Sequence, residues 1–244
     1  MEPNFRNSEY HSLNAYISDH WDRNVVMRAM DIENGTDSTY NNVIIPWVLN
    51  QIKNFTSHES NIIDIGCGCG FLTNAIHNEG IHHIIGVDLS KDTILYAKSK
   101  YPQIIFLHGD ICTMSFSQTF DIGIAIMTLN NMPDLDLFLE AAYRIISDKG
   151  HLIIIIPHPC FWPIKHLQNR FVSYLSEQKY VIDFSTKGQK NYPAQVLYFH
   201  RPIETYCDSI EKKSFYIKFL EELHEDGLSQ PSDMLGIVVE KYVK

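Results

Sequence analysis

The rhythm of hydrophobic and polar positions changes along the chain and divides it into three stretches. Up to about Phe55 the apolar residues recur at helical spacing: Trp21, Val25, Val26 and Ala29 make one run, and Val43 to Ile52 a second around Pro46. Glu33-Asn34-Gly35-Thr36-Asp37-Ser38 is a turn-rich break between them. Residues 1–55 therefore read as a helical N-terminal cap, ahead of a core spanning 56–244. In that core, strands predicted over Asn61–Ile65, His83–Val87, Gln103–Leu107, Phe120–Met127 and His151–Ile156 are interleaved with helices over Phe71–Asn78, Lys91–Lys100 and Pro133–Ile146. Gly80 and Pro102 close the first two helices, Pro133 reads as an early helical residue, and Asp148-Lys149-Gly150 as the turn into the fifth strand.

The strands are nearly continuous β-branched runs, the composition of a parallel sheet covered on both faces. Their order predicts an α/β fold with a doubly wound, mostly parallel sheet. After Pro157 the alternation fails. Pro157, Pro159 and Pro163 punctuate the chain and aromatic residues dominate up to Phe199, so residues of about 158–200 read as a lid-like insertion. A helix over Pro202–Lys213 follows. Phe215–Glu221 and Leu235–Tyr242 complete a seven-stranded sheet as an antiparallel pair.

Composition narrows the function. The 244 residues are 45% hydrophobic and 20% charged, enough for a real core. A net charge of −9 argues against nucleic acid as a partner. No apolar run is long enough to span a bilayer and the first residues lack a leader pattern, so the expectation is a cytoplasmic protein away from membranes. The five cysteines include no C-x-x-C, and the twelve histidines show no ligand spacing, so neither a disulfide framework nor a metal site is expected. The expected oligomeric state is monomer or homodimer.

Chemistry concentrates at Ile62-Ile63-Asp64-Ile65-Gly66-Cys67-Gly68-Cys69-Gly70-Phe71. A strand runs into an acid, then glycines alternate into a helix, which lays bare backbone against a nucleotide-like ligand. The next strand ends on Gly86-Val87-Asp88-Leu89-Ser90, with Asp88 at the offset expected of a ribose-binding carboxylate. The third ends on Gly109-Asp110-Ile111, whose acid suits an adenine amino group. Met127-Thr128-Leu129-Asn130-Asn131 follows the fourth, at the edge of a doubly wound sheet where ligands bind.

Together with Phe120-Asp121-Ile122 and Ser147-Asp148-Lys149-Gly150-His151-Leu152, these segments resemble class I S-adenosylmethionine-dependent methyltransferases, over about Asn61 to Ile156. The resemblance implies a Rossmann-like fold and S-adenosylmethionine as cofactor. It implies that Gly66, Cys67, Gly68 and Gly70 cradle the methionine part and that Asp64 orders the loop or meets the amino group. Asp88 would hold the ribose, Leu89, Asp110 and Ile111 the base, and Met127 the methionine end. A looser likeness to a bacterial small-molecule subgroup rests on His20-Trp21-Asp22-Arg23, Asp37–Tyr40, Ile156–Phe161 and Tyr198–Ile203. It adds Trp21 and Tyr40 to the cofactor site and implies a small-molecule acceptor, an aromatic or secondary metabolite among the options.

For proton transfer, His158 just past the fifth strand is the first candidate and His200 the second, with Tyr198 as an orienting hydroxyl. Each could instead be structural. A catalytically silent cofactor-binding subunit, or an NAD(P)-dependent oxidoreductase, would also use a glycine loop and a following acid.

Overall fold

The computed structural model describes residues 3–56, 59–224 and 232–242. Seven strands form one sheet: β1 (Ile62–Ile65), β2 (Ile84–Asp88), β3 (Ile105–His108), β4 (Phe120–Ile126), β5 (Ile146–Pro157), β8 (Phe215–Leu223) and β9 (Met234–Lys241), in the order β3-β2-β1-β4-β5-β9-β8. The first five are parallel, and β9 runs antiparallel between β5 and β8. The isoleucine-rich runs are divided between two cores. Leu152, Ile154 and Ile156 of β5 face one side with Ile63 and Ile65, while Ile153 and Ile155 face the other with Ile62, Ile122 and Ile124.

Helices cover both faces. Helix α5 (Leu135–Ile145) and α7 (Ile203–Lys212) bury Phe138, Leu139, Ala142, Tyr206 and Ile210 on the first core. Helix α2 (Ile45–Phe55) and α3 (Phe71–Asn78) bury Val48, Ile52, Leu72 and Ile76 on the second. Helix α4 (Lys91–Lys100) adds Ile94 and Ala97 against Phe106. Strand order reverses between β1 and β4, so the loops after β1, β2 and β4 open on one crevice.

Several boundaries differ from the sequence reading for local reasons. Asp134 caps α5 by accepting from the Leu137 N–H at 3.0 Å, so Pro133 lies before the helix rather than in its first turn. Asp148-Lys149-Gly150 is the expected turn, but it lies inside β5: the pairing steps from Ile146 opposite Phe120 to His151 opposite Ile122, with Lys149 at φ 63°. A Cβ on Gly150 would sit 2.9 Å from the Asp121 carbonyl oxygen. Helix α2 packs directly on the sheet core, whereas α1 (Pro3–Glu33), a single long helix, lies across the strand ends. Between them, Tyr40–Ile44 winds as a π-helical turn that leads into α2.

The stretch after β5 folds as α6 (Phe161–Leu167), a short 3-10 turn, and the antiparallel pair β6 (Gln178–Ile182) and β7 (Val196–His200). It packs on α1 through Ile17 against Leu197 and Phe199, and through Trp21 against Phe184. Asn24 seals the joint by exchanging two 2.9 Å hydrogen bonds with the Ala194 backbone.

Candidate functional site

A cavity of about 850 Å³ opens at the carboxyl ends of β1, β2 and β4, roofed by α1 and closed at its far end by α6 and the β6–β7 pair. One wall is built largely from main chain. Gly66, Gly68 and Gly70 have φ of 74°, 54° and 79°, the left-handed region that favours glycine. Their surroundings differ. A Cβ on Gly70 would sit 2.7 Å from the Phe106 ring, and one on Gly66 would strike Thr128, whereas one on Gly68 would meet nothing within 4 Å. Gly66 and Gly70 thus serve packing, and Gly68 faces open cavity. Met127, at φ 53°, is a non-glycine residue held in the same strained region where β4 ends on the cavity.

The predicted carboxylates converge on this wall. Asp88 accepts from the Gly68 N–H at 2.9 Å and the Ser90 N–H at 2.8 Å, tying the glycine loop to the end of β2. Capping of α4 falls to Ser90, which accepts from the Thr93 N–H, so Asp88 is not needed for it. Burial raises the Asp88 carboxyl above its ordinary value. Asp64 is 2% exposed and accepts from the Thr73 hydroxyl at 2.6 Å; burial, with the neighbouring Asp88 charge adding, pushes it up to about 7. Cys67 and Cys69 are free and buried, with burial raising both thiols, which makes them small packing side chains rather than nucleophiles.

Asp110 is held from above. Its carboxylate accepts from the Tyr10 hydroxyl at 2.9 Å and the Asn14 amide at 2.8 Å, both on α1, and from the Cys112 N–H at 2.9 Å. Neither Tyr10 nor Asn14 was anticipated. Their signal was present: Tyr10, Asn14, Ile17, Trp21, Val25, Arg28 and Ile32 recur at three- and four-residue steps, one helix face, and all but Tyr10 line the cavity. The run Trp21, Val25, Val26 and Ala29 overlaps that face only in part, since Val26 is 64% exposed. Arg28 joins α1 to the segments on either side. It pairs with Asp37 at 2.6 Å and lies 5.1 Å from the Tyr40 ring centre, while Asp31 accepts from Thr186 at 2.6 Å and Tyr192 at 2.7 Å.

The far wall is aromatic and comes from the insertion. Trp162 stacks between His166, 4.6 Å away, and Tyr198, 4.4 Å away; Ile182, Phe184 and Val196 continue the surface. Of the three catalytic candidates, Tyr198 lines the cavity and the two histidines do not. His158, 3% exposed, turns its Nε2 towards Glu222 of β8 at 3.5 Å, and its Nδ1 accepts from the Cys160 N–H. His200 is fully buried, with Nε2 2.9 Å from the Tyr174 carbonyl oxygen and its ring edge-on to Phe171. Neither ring lines the cavity, where the expectation set them facing substrate; each has a structural partner, although the buried His200 Nδ1 has none. The imidazole on the cavity wall is His166, one helical turn after Trp162, and burial lowers it below the usual imidazole value.

Two buried amide oxygens on the cavity wall, Asn14 Oδ1 and Asn130 Oδ1, have no hydrogen-bond partner. Buried polar atoms are seldom left so, and both point to a polar ligand. Among the described residues no cluster suited to a metal ion is found, and no helix is long and apolar enough to cross a membrane.

Residues 63–154 match the sequence family described as a methyltransferase domain. The chain is 28% identical over 142 residues to a demethylmenaquinone methyltransferase of Bacteroides fragilis, covering 54% of this chain and 56% of that protein. It is 30% identical over 110 residues to a malonyl-[acyl-carrier protein] O-methyltransferase of Priestia megaterium, covering 43% and 40%. The chain thus spans about half the length of these curated relatives. An S-adenosylmethionine-dependent methyltransferase from Clostridium acetobutylicum superposes with a TM-score of 0.67 at 13% identity, over 89% of this chain and 98% of that one. The [4+2]-cyclase SpnF superposes at 0.56 and 13% identity, over 81% of each chain. At these identities the structural likeness speaks for the fold alone.

Proposed function

We propose that this chain, which carries a class I S-adenosylmethionine-dependent methyltransferase domain, transfers the donor's methyl group to a small molecule with an apolar or aromatic body. The observation that carries the reading is the single cavity joining the glycine loop and strand-end carboxylates to an aromatic wall. The relatives' names point to two unlike acceptors, demethylmenaquinone and malonyl-[acyl-carrier protein], so the acceptor is read from the cavity instead.

The residues present fit the donor. Gly68 leaves open space where any other residue would place a side chain, Asp88 stands at the ribose position, and Asn14 and Asn130 offer unpartnered acceptors. In this reading Gly66–Gly70 and Met127 hold the methionine end, Asp64 receives the amino group, and Asp110 with Leu89 and Ile111 holds the base. Trp21 and Tyr40 line the same cavity, the Tyr40 ring lying under the Arg28 guanidinium. When bound, the donor supplies a methyl group already activated by a positive sulfonium.

What remains for the protein is alignment and the exclusion of water. Helix α1 and the insertion supply the roof, and Trp162 with Tyr198 supplies the surface on which the acceptor lies. An acceptor that must lose a proton finds His166, whose lowered basicity leaves it neutral and able to accept near pH 7. The test is transfer of label from methyl-labelled S-adenosylmethionine into a small-molecule metabolite fraction. Labelled product above the Asp88→Ala background is expected. Donor binding without any transfer would instead favour a silent cofactor-binding subunit.

A further inference from the structure

The insertion runs against the charge of the rest of the molecule. In a chain of net charge −9, residues 158–200 hold five Lys and Arg (Lys165, Arg170, Lys179, Lys187 and Lys190) against two acids, Glu177 and Asp183. Four of those five cations line the cavity; Lys179 instead reaches towards Glu9. The acids on the same wall are largely engaged. Asp233 pairs with Lys165 and lies 4.0 Å from His166, Asp37 pairs with Arg28, and Asp183 accepts from the Gln195 amide at 2.8 Å. Arg170 and Lys190 form no ion pair among the described residues; the Arg170 guanidinium gives one hydrogen bond, 3.1 Å, to the Val181 carbonyl oxygen.

We infer that the acceptor carries an oxyanion group, a carboxylate or phosphate, that Arg170 and Lys190 hold at the cavity mouth while its apolar body lies on Trp162 and Tyr198. This deepens the methyltransferase reading and rests on it. Away from the strand-end acids Asp64, Asp88 and Asp110, this end of the cavity carries an excess of cations, Arg170 and Lys190 against Asp183, and such an excess over an apolar wall draws ligands of the opposite sign. Guanidinium adds direction, because its planar fork matches both carboxylate and phosphate oxygens. The aromatic wall below excludes a fully polar acceptor, since a polar group placed there would lose water without gaining a partner. The two features together describe an amphipathic organic anion, with the cations at its exposed end and the reacting atom inward.

The probes are 2-naphthoate against 2-naphthamide and 1-naphthyl phosphate against 1-naphthol, titrated by ligand-observed NMR into the full chain saturated with S-adenosylhomocysteine. At least one anion should bind about tenfold or more tighter than its neutral partner. That preference should vanish in the Arg170→Gln, Lys190→Gln double variant and weaken with added salt. Which anion gains more separates carboxylate from phosphate. Equal binding within both pairs, no binding by either anion, or a preference that survives the double substitution overturns the inference. Binding of S-adenosylhomocysteine is measured first. If it fails, the methyltransferase reading itself falls; if it succeeds and the anion preference is absent, only the oxyanion inference does.

Discussion

The two walls of the cavity are built by different means. The wall at the ends of β1, β2 and β4 is main chain and carboxylate: a loop whose φ angles favour glycine, and acids fixed by backbone N–H groups. The wall from the insertion is side chain: stacked rings and an imidazole on a short helix and a two-stranded sheet, with cations on that helix, the turn after it and the loop joining the two strands. A ligand shared by many enzymes can be held by backbone geometry that tolerates sequence drift around it. An individual acceptor must be recognised by side chains, which change freely on a fixed scaffold. On the proposed reading the first wall holds the donor and the second the acceptor, and substitutions in the two should separate cleanly.

The largest effect is expected on the donor wall. Asp88→Ala removes two charge-assisted hydrogen bonds that order the glycine loop and the group placed for the ribose. Donor affinity should fall by roughly 100-fold, since one hydrogen bond from the ribose to a charged carboxylate contributes about 1.5–3 kcal/mol. The fold should survive, because Ser90 keeps the α4 cap. The counterpart is Trp162→Ala, which removes the ring between His166 and Tyr198. The acceptor KM should rise about tenfold with donor affinity unchanged. A fall in donor affinity on this substitution would merge the two walls and break the comparison.

A smaller effect sharpens the donor wall from within. Gly68→Ala meets no protein atom, so its stability cost should be limited to the left-handed backbone, about 1–2 kcal/mol. Its methyl group enters the cavity, and donor affinity should drop several-fold. Thermal unfolding beside donor titration checks both; unchanged donor affinity would place the ligand away from Gly68.

A further effect is a slope with pH. The Asp64 carboxyl lies at about 7 in the fold against 3.8 unfolded, so between those values the folded state holds a proton that the unfolded state has released. Stability attributable to Asp64 is therefore full below about 4 and is lost as pH rises through about 7. Asp64→Asn keeps an acceptor for the Thr73 hydroxyl and should flatten that part of the Tm-against-pH curve. An unaltered curve would show that Asp64 is not the group responsible.

The same contrast explains what could be read from the sequence. Gly66, Gly68, Gly70, Asp88 and Asp110 stood at strand ends set by near-continuous Ile and Val runs, so strand order alone brought them to one crevice. His158 was placed by nearness to a strand end and His200 by a Tyr-x-His-Arg segment able to fold over the pocket, and neither says which way a side chain turns. Packing turned them towards Glu222 and Tyr174. Proline and aromatic residues marked the insertion without giving its pairing, so Tyr180 opposite Tyr198, and His166 beside Trp162, emerged only in the fold. The long-range bonds from Tyr10 and Asn14 to Asp110 lay beyond any local pattern, although the helical stripe that carries them was present.

The most direct test is a calorimetric titration of S-adenosylhomocysteine into the wild-type chain, with Asp88→Ala and Trp162→Ala alongside. Micromolar binding by the wild type, loss in Asp88→Ala and retention in Trp162→Ala is the predicted result. Wild-type binding no tighter than millimolar, or equal loss in both variants, would contradict it.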